Sequence, residues 1–195
     1  MSRRVAHACI WAGIVATCET NPAQIAERGR AHDVAVALLL SDDVILLRQL
    51  TPDDVDEWMA DEDAAPRNNV ERAIADWADS WRTGGSVRHW AICDQETDRI
   101  VGGVELSDLG DGNVNLSSVV FRAWRRRGIA TRACRLALAY AAQAMDCRAA
   151  IFKVPQGNAA SIALARRLGA TVTGIEMTGA GDLTTVLRLD LESAG

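Results

Sequence analysis

Apolar and polar positions along the first half of the chain predict a strand followed by two helices. Residues 44–50 read as the strand, and Thr51-Pro52 then suits a helix start, because threonine caps helices well and proline is favoured at the first helical position. A second helix is predicted over 69–82, where apolar residues recur at three- and four-residue spacing before Gly84-Gly85 ends it. Those apolar residues are Val70, Ile74, Trp77 and Trp81.

Turn residues divide the rest of the chain into further strands. Three of these strands read as an antiparallel meander, since the segments between them are rich in aspartate and glycine. Two more form a closing hairpin around Gly179-Ala180-Gly181. The meander strands are 87–93, 100–106 and 113–121, and the hairpin strands are 171–177 and 184–191.

A basic, glycine-containing loop joins the last meander strand to the longest predicted helix, which reaches about Met145. Unpaired N–H groups and the positive end of the helix dipole make such a helix start a favourable place for phosphate. The loop pattern is R-x-x-G-x-A, and neither the triphosphate pattern G-x-x-x-x-G-K-[ST] nor the dinucleotide pattern G-x-G-x-x-G is present. Taken alone, three arginines before a helix are more often a solvated basic surface.

A second element follows about one supersecondary unit downstream. The strand-like segment 149–154 leads to Asn158, a good N-cap, and to a short helix that Gly169 would end. The order of elements is therefore strand, basic loop, helix, strand and short helix. The apolar positions of the short helix are Ile162, Leu164 and Leu168.

These two elements together resemble the acetyl-CoA-binding core of the GCN5-related N-acetyltransferases (GNAT), with their R/Q-x-x-G-x-G/A loop and N-x-x-S-x-x-L-x-x-x-L-G segment. Residues 44–58 are similar to the first strand and helix of the RimJ/RimL subgroup, which acetylates ribosomal-protein N-termini. The resemblance covers about residues 43–191. It implies an α/β (α+β) fold whose mixed, mainly antiparallel twisted sheet has six to seven strands. The sheet would be splayed between its fourth and fifth strands and flanked by about four helices.

The resemblance also implies acetyl-CoA as the co-substrate and assigns residues to it. Backbone groups of Val119, Val120 and Phe121 would contact the pantetheine arm and the oxyanion, and Asn158 would bond the pantetheine amides. The pyrophosphate would be surrounded by Arg125, Arg126, Arg127, Gly128, Ile129, Ala130 and Thr131.

The expected acid and base depart from the family pattern. Many relatives place a tyrosine where this chain has Ala165, and a glutamate where it has Asn115. Ser161 lies where the ribosomal subgroup has a serine and could hold the thiolate or a proton-relaying water, although a serine at a helix start also bonds local backbone. Glu105 is the best remaining carboxylate for accepting the amine proton, with Asp108 as the fallback. A carboxylate that merely keeps a sheet edge soluble is the alternative.

The predicted activity is direct transfer of acetyl from acetyl-CoA to a primary amine, either a protein N-terminus or a small molecule. An α-amino group with a pKa of about 7.8 suits a weak base better than a lysine amine with a pKa of about 10.4. The alternative is a non-catalytic acetyl-CoA sensor or scaffold of the same fold. Hydrolysis of acyl-CoA through a cysteine is a third interpretation.

Composition and charge limit the kinds of protein and of binding site that the sequence can encode. The 195-residue chain is 49% hydrophobic and 24% charged, as is typical of a globular domain. Its net charge of −5 argues against broad nucleic-acid binding. Five scattered cysteines and three histidines fit neither a disulfide framework nor a metal site, so no metal is expected. An acidic run at 53–63 would either attract a cationic amine or form a solvated first helix.

Residues 1–42 are interpreted as a partly helical N-terminal extension and residues 43–195 as the acetyltransferase domain. The segment 23–40 could form a helix that packs on the domain or on a second subunit, so a monomer or a homodimer is expected. A charged start and short apolar core resemble a secretory signal, but His7 interrupts the core and no clean cleavage site follows. Because acetyl-CoA is a cytoplasmic metabolite, a cytoplasmic protein without membrane association is expected.

Overall fold

The computed structural model describes residues 39–61, 65–178 and 181–191, together with the backbone of residues 10–11 and 14–15. Ten strands in these ranges form one sheet. Their bounds are β1 Ile10–Trp11, β2 Ile14–Val15, β3 Leu40–Ser41, β4 Ile45–Arg48, β5 Val87–Asp94, β6 Ile100–Gly110, β7 Asn113–Val120, β8 Ala149–Pro155, β9 Thr171–Met177 and β10 Leu183–Asp190. Eight of them, β3 to β10, lie between residues 39 and 191, compared with the six to seven predicted.

Four described helices flank the sheet, in agreement with the prediction. The N–H and hydroxyl of Thr51 both donate to Asp54, at 2.7 and 3.0 Å, and so stabilise the turn that precedes the first helix. The second helix ends at Gly84, whose left-handed φ of 71° lets Gly85 N–H reach the Ser80 carbonyl. The helices are α1 Val55–Trp58, α2 Arg67–Thr83, α3 Ile129–Ala144 and α4 Ala159–Arg167, with 3-10 turns at Pro52–Asp54 and Arg122–Trp124.

The two faces of the sheet carry separate hydrophobic clusters. Alternate residues of a strand point to opposite faces. Trp90 and Ile92 of β5 belong to one cluster, which includes residues of α3 and α4, whereas Ala91 and Cys93 belong to the other, which includes residues of α1 and α2. The domain is therefore layered, with α3 and α4 on one face and α1 and α2 on the other.

One pair of neighbouring strands separates along its length. Strands β7 and β8 run parallel, because α3 is the crossover between them, and every other pairing in the sheet is antiparallel. Their pairing extends only from Asn113 opposite Ala149 to Asn115 opposite Ile151. Beyond these residues the strands diverge and leave a cleft. Counted from β4, they are the fourth and fifth strands, so the predicted splay is confirmed.

The N-terminal extension is described only in part. Strands β1 and β2 pair with each other, and Val15 pairs with Ser41 of β3. The predicted helix at 23–40 and the signal-like segment lie largely outside the described residues, and Leu40 belongs to β3 rather than to a helix. The domain boundary at residue 42 stays a prediction. None of the described helices is long and apolar enough to span a lipid bilayer.

Candidate active site

The start of α3 presents backbone amides to one spot. Arg126 and Gly128 adopt left-handed backbone angles, with φ of 63° and 80°, which turn the chain sharply into the helix. The Arg132 N–H is bonded to the Gly128 carbonyl inside the helix, whereas N–H groups of the first turn have no partner within a helix. The side chains of Ile129 and Thr131 are buried. These two residues can therefore serve an anion only through their backbone.

The arginines around this helix start have different roles. Arg125, Arg126 and Arg127 are all exposed. Arg125 Nε donates to the Val120 carbonyl at 2.9 Å, and the Arg127 guanidinium lies 4.8 Å from the centre of the Trp124 ring. These contacts hold two of the three guanidinium groups near the α3 N-terminus.

Arg132 is committed to a structural contact. It pairs with Asp42 and Asp43, at 2.9 Å in each case, in the turn between β3 and β4. This side chain therefore joins α3 to the turn between β3 and β4.

The cleft between β7 and β8 opens to solvent. It begins where the strands separate and is closed at one side by α4. The Ser118 hydroxyl lies in its wall and is 3.6 Å from the Cys134 thiol of α3. The lining residues are Leu116, Ser117, Ser118, Phe152, Lys153, Val154, Pro155, Ser161 and Leu164.

Only every second residue of β7 directs its backbone groups into this cleft. The Phe121 N–H donates to the Val101 carbonyl of β6 at 2.9 Å. In an antiparallel pair such bonded positions alternate, so Val119 also faces β6 while Ser118 and Val120 face the cleft. Among the three residues predicted for backbone contacts, Val120 has the required direction. Ser118, which no sequence motif marks, is the second residue with this direction.

Asn158 and Ser161 begin α4 at the cleft wall. Asn158 is the N-cap, and its Oδ1 accepts the Ser161 N–H at 3.1 Å. The Ser161 side chain is half-buried and lines the cleft. One turn later, Ala165 is fully buried where many relatives have a tyrosine. The only tyrosine, Tyr140, packs against Trp90 in the core at a centroid distance of 5.2 Å.

Glu105 lies on β6, on the face covered by α2. Its Oε2 accepts the Trp77 indole N–H at 3.1 Å, and its Oε1 accepts the Ser107 hydroxyl at 3.0 Å. Directly opposite on β7 is Ser117, which is exposed and lines the cleft. Cross-strand partners project from the same face, so the Glu105 carboxylate is the neighbour of a cleft residue. Asp108, the fallback base, is exposed and accepts the N–H of Gly110 in the hairpin turn.

His89 is the cross-strand partner of Glu105 on the other side and has 5% of its surface exposed. Its ring stacks on Trp77, with centroids 3.5 Å apart and planes 7° apart. Burial lowers the pKa of His89 to about 3, so the imidazole is neutral near physiological pH. Its Nδ1 has no hydrogen-bond partner in the part of the chain that the structure describes. His89 therefore places no positive charge beside Glu105.

The described part of the acidic run, residues 53–61, is bonded largely within the domain, and Glu62 and Asp63 lie outside the described residues. Burial raises the pKa of Asp54, but hydrogen bonds from Arg48 and Thr51 outweigh it and hold that pKa below its usual value. These contacts favour the structural interpretation of the run over attraction of a cationic amine. The pairs are Asp54 with Arg48, Asp56 with Arg67, Glu57 with the Ile100 N–H, and Asp61 with the Arg122 N–H.

The described cysteines are poor candidates for nucleophiles. Cys93, Cys134 and Cys147 are buried. Burial raises the pKa of both Cys93 and Cys134 to about 11, which leaves little thiolate near neutral pH. Among the described residues, no group of three or more His, Cys, Asp or Glu side chains is placed to hold a metal ion.

Comparison with protein-family models shows which family has this arrangement of strands, loop and helices. Residues 45–171, more than half of the chain, match the family model described as an acetyltransferase (GNAT) domain. The chain belongs to the GNAT acetyltransferase family. Membership confirms the resemblance drawn from the loop and the short helix, and it makes the protein an acetyl-CoA-dependent acyltransferase. No curated protein matches the chain.

Solved acetyltransferase structures share the fold at low sequence identity. A GNAT-family acetyltransferase from Bacillus anthracis has a TM-score of 0.68 and 13% identity, over 80% of this chain and 100% of its own. RimL, a ribosomal L7/L12 α-N-protein acetyltransferase, has a TM-score of 0.67 and 14% sequence identity. The match covers 83% of this chain and 98% of RimL. The microcin C7 self-immunity acetyltransferase MccE, solved with acetyl-CoA and AMP, has a TM-score of 0.66 and 14% sequence identity. The match covers 76% of this chain and 93% of MccE.

Proposed function

We propose that this GNAT protein transfers acetyl directly from acetyl-CoA to a primary amine in a ternary complex. The amine attacks the thioester carbonyl carbon, the C–S bond breaks, and an amide and coenzyme A are released. The observation that carries the proposal is that the C-terminal end of β7 leads through the basic loop into the α3 start, while Ser118 of the β7–β8 cleft lies 3.6 Å from Cys134 of α3. We further propose that the protein acts in the cytoplasm, as a monomer or a homodimer.

The α3 start suits the diphosphate of coenzyme A. Amides of Ile129, Ala130 and Thr131 and the positive end of a 16-residue helix favour an anion at this point. The neighbouring Arg125 and Arg127 side chains would add charge-assisted hydrogen bonds. Arg126 and Gly128, with their left-handed backbone angles, supply the turn into the helix, and Gly128 holds the glycine position of the R-x-x-G-x-A pattern.

The cleft suits the pantetheine arm and the thioester. Cleft-facing backbone groups of Ser118 and Val120 would pair with the pantetheine amides and donate an N–H to the oxyanion of the tetrahedral intermediate. A donor already fixed in a sheet needs no reorganisation, and the loss of one such donor typically slows catalysis by about 100- to 1,000-fold. Asn158, at the same mouth, is the proposed contact for a pantetheine amide through its Nδ2 group.

Proton transfer is assigned to Glu105 and Ser161. Glu105 would accept the amine proton through Ser117 or a water beside it, and Ser161 would protonate the departing thiolate. A carboxylate is a weak base, so an amine that is already partly neutral near pH 7 is favoured. An α-amino group with a pKa of about 7.8 meets this condition far better than a lysine with a pKa of about 10.4. RimL, an α-N-protein acetyltransferase of the same fold, supports this choice of acceptor.

A sensor or scaffold that binds acetyl-CoA without turnover is the second candidate. It is favoured by Ala165, which is fully buried where relatives carry a tyrosine, and by Asn115 where they carry a glutamate. Such a protein would need the cofactor site but no base, and the ordered carboxylate of Glu105 would have no role in it.

Release of coenzyme A thiol with a panel of amines tests the proposal. We expect turnover with a peptide bearing a free N-terminus, and at least about tenfold less with the same peptide blocked at its N-terminus and bearing a lysine. Glu105→Gln should lower kcat by about 100-fold, because it removes the base while keeping the side-chain shape. Calorimetric binding of coenzyme A without thiol release from any amine would establish the sensor instead. Absence of coenzyme A binding would overturn both candidates.

A further inference from the structure

We propose that Trp77 is a positioning residue, whose indole N–H fixes the Glu105 carboxylate on the sheet face that it shares with the cleft residue Ser117, while the stacked His89 ring holds the indole. This inference rests on the proposed function, in which Glu105 accepts the amine proton. It adds a residue from α2, an element outside the cofactor loop and the cleft.

The carboxylate is oriented by neutral donors. The Trp77 indole donates to Oε2 and the Ser107 hydroxyl donates to Oε1, so each oxygen receives one hydrogen bond and keeps a free lone pair. Within the described residues, no lysine or arginine forms an ion pair with Glu105. The negative charge is therefore fixed in place without being neutralised, which is what a base facing a substrate requires.

The indole itself is held by aromatic contacts on two sides. The stack on His89, at 3.5 Å and 7°, covers one ring face, and Trp58 is tilted against Trp77 at a centroid distance of 6.1 Å. Trp58 in turn forms an edge-to-face contact with Phe121, the residue that follows β7, at a centroid distance of 5.4 Å. Trp77 thus has a packed surround that limits its rotation and keeps the N–H aimed at Glu105.

Gly103 shows how closely this cluster is fitted to β6. A Cβ placed at Gly103 would lie 2.7 Å from Trp58 Cη2 and 2.9 Å from His89 Cε1, both too close for real carbon contacts. The missing side chain two residues before Glu105 therefore makes room for the two rings. The same strand thus supplies both the carboxylate and the space that its supporting rings occupy.

The neutrality of His89 completes the arrangement. A protonated imidazole next to Glu105 would pair with the carboxylate and weaken it as a base. Burial keeps this ring uncharged, and its role is then to present a flat, rigid surface to the indole. Arg88, the residue before His89 on β5, donates to the Gly85 carbonyl rather than to Glu105.

Trp77→Phe is the central variant, because it removes the N–H and keeps an aromatic ring for the stack. Trp81→Phe is the matched control: its indole N–H also leaves α2, but it donates to the His89 carbonyl at 2.9 Å rather than to Glu105. We expect Trp77→Phe to lower kcat by about 10- to 100-fold with the KM for acetyl-CoA changed by less than about twofold. Trp81→Phe should keep kcat within about threefold of the wild type.

A double-mutant cycle separates positioning from general structure. If Trp77 acts through Glu105, adding Trp77→Phe to Glu105→Gln should cause no further loss of kcat. An equal loss in both backgrounds, or an equal loss in Trp81→Phe, would overturn the proposal while leaving the acetyltransferase activity intact. A wild-type protein that turns over no amine would instead mark the failure of the proposed function.

A spectroscopic readout tests the contact without turnover. The indole ¹⁵N–¹H resonance of Trp77, assigned by its disappearance in Trp77→Phe, should move upfield in Glu105→Gln, because the charged acceptor is replaced by a neutral one. The Trp81 resonance should stay in place. A Trp77 resonance that does not respond to the Glu105 substitution would show that the two groups are not bonded, and the proposal would fall whatever the activity.

Discussion

At the scale of single residues, His89 couples the stability of the protein to pH. The unfolded chain protonates this side chain near its ordinary pKa of about 6.5, whereas burial lowers the folded pKa to about 3. Between these values the unfolded state binds one more proton, so stability falls as pH falls. The loss begins near pH 6.5 and is complete only below the folded pKa. Asp54 and Asp94 have lowered pKa values in the folded protein, so the stability that they contribute is lost mainly below their ordinary pKa of 3.8.

We predict that lowering the pH from 6.5 to 5 reduces the free energy of unfolding by about 2 kcal/mol through His89 alone. Urea denaturation at several pH values measures this slope. His89→Phe keeps an aromatic ring against Trp77 but cannot titrate. Over the same pH range its free energy of unfolding should therefore fall by about 2 kcal/mol less than that of the wild type. Parallel stability curves for the two proteins would show that the histidine is not kept neutral in the folded state.

The candidate site was only partly accessible from the sequence. Glu105 and Ser161 could be proposed from their chemistry and from the family pattern. Trp77 could be placed on a helix face by its spacing, but its hydrogen bond spans 28 positions and depends on how α2 packs on β6. The cleft-facing role of Ser118 follows from strand register, which periodicity alone does not determine. Such contacts between elements are a property of the assembled sheet.

At the scale of elements, periodicity predicted α2 and the meander well. The helix predicted over 69–82 runs from Arg67 to Thr83, and the strand predicted over 100–106 begins at Ile100 but continues to Gly110. The extra residues remain paired with β7 up to the hairpin turn, across a register shift near Asp108. Their polar composition gives no strand signal, so tertiary pairing rather than local preference sets where β6 ends.

Asn158 belongs to α4 in two ways, as its N-cap and as a proposed ligand group. Loss of the cap in Asn158→Ala should destabilise the protein by about 1 kcal/mol. Asn158→Asp keeps an oxygen acceptor for the Ser161 N–H and removes the amide donor. We expect this variant to unfold like the wild type in thermal denaturation but to bind coenzyme A about fivefold more weakly, because one hydrogen bond to pantetheine is lost.

Calorimetric titration with coenzyme A separates the two roles of this residue. Unchanged affinity in Asn158→Asp would mean that Asn158 only caps α4. A loss of affinity in Asn158→Ala with no loss of stability would mean that the cap contributes little to the fold. The two variants together assign the cap and the ligand contact independently.

At the scale of the whole molecule, the family resemblance carried the prediction of the fold. Six to seven strands, four helices and a splay were expected, and eight strands with four helices and that splay are found within the described residues 39–191. The additional strand β3 has two residues, too short for any periodic signal. Its position is fixed by pairing with β4 and by the ion pairs of Asp42 and Asp43 with Arg132.

The distribution of charge over the molecule leads to a last prediction. The chain carries 26 acidic and 21 basic residues, yet three consecutive arginines surround the α3 start. A polyanionic ligand would then be held partly by exposed charges, which salt screens, and partly by backbone amides, which it screens much less. Raising NaCl from about 50 to about 500 mM should therefore weaken coenzyme A binding by about fivefold without abolishing it. The double variant Arg125→Gln/Arg127→Gln should bind more weakly at low salt and lose most of this dependence. The matched control is Arg166→Gln/Arg167→Gln in the last turn of α4, at the end opposite Asn158, which should keep the wild-type dependence. Equal effects of both pairs would place the basic contribution in the overall charge, and the helix start would then hold the ligand through its amides alone.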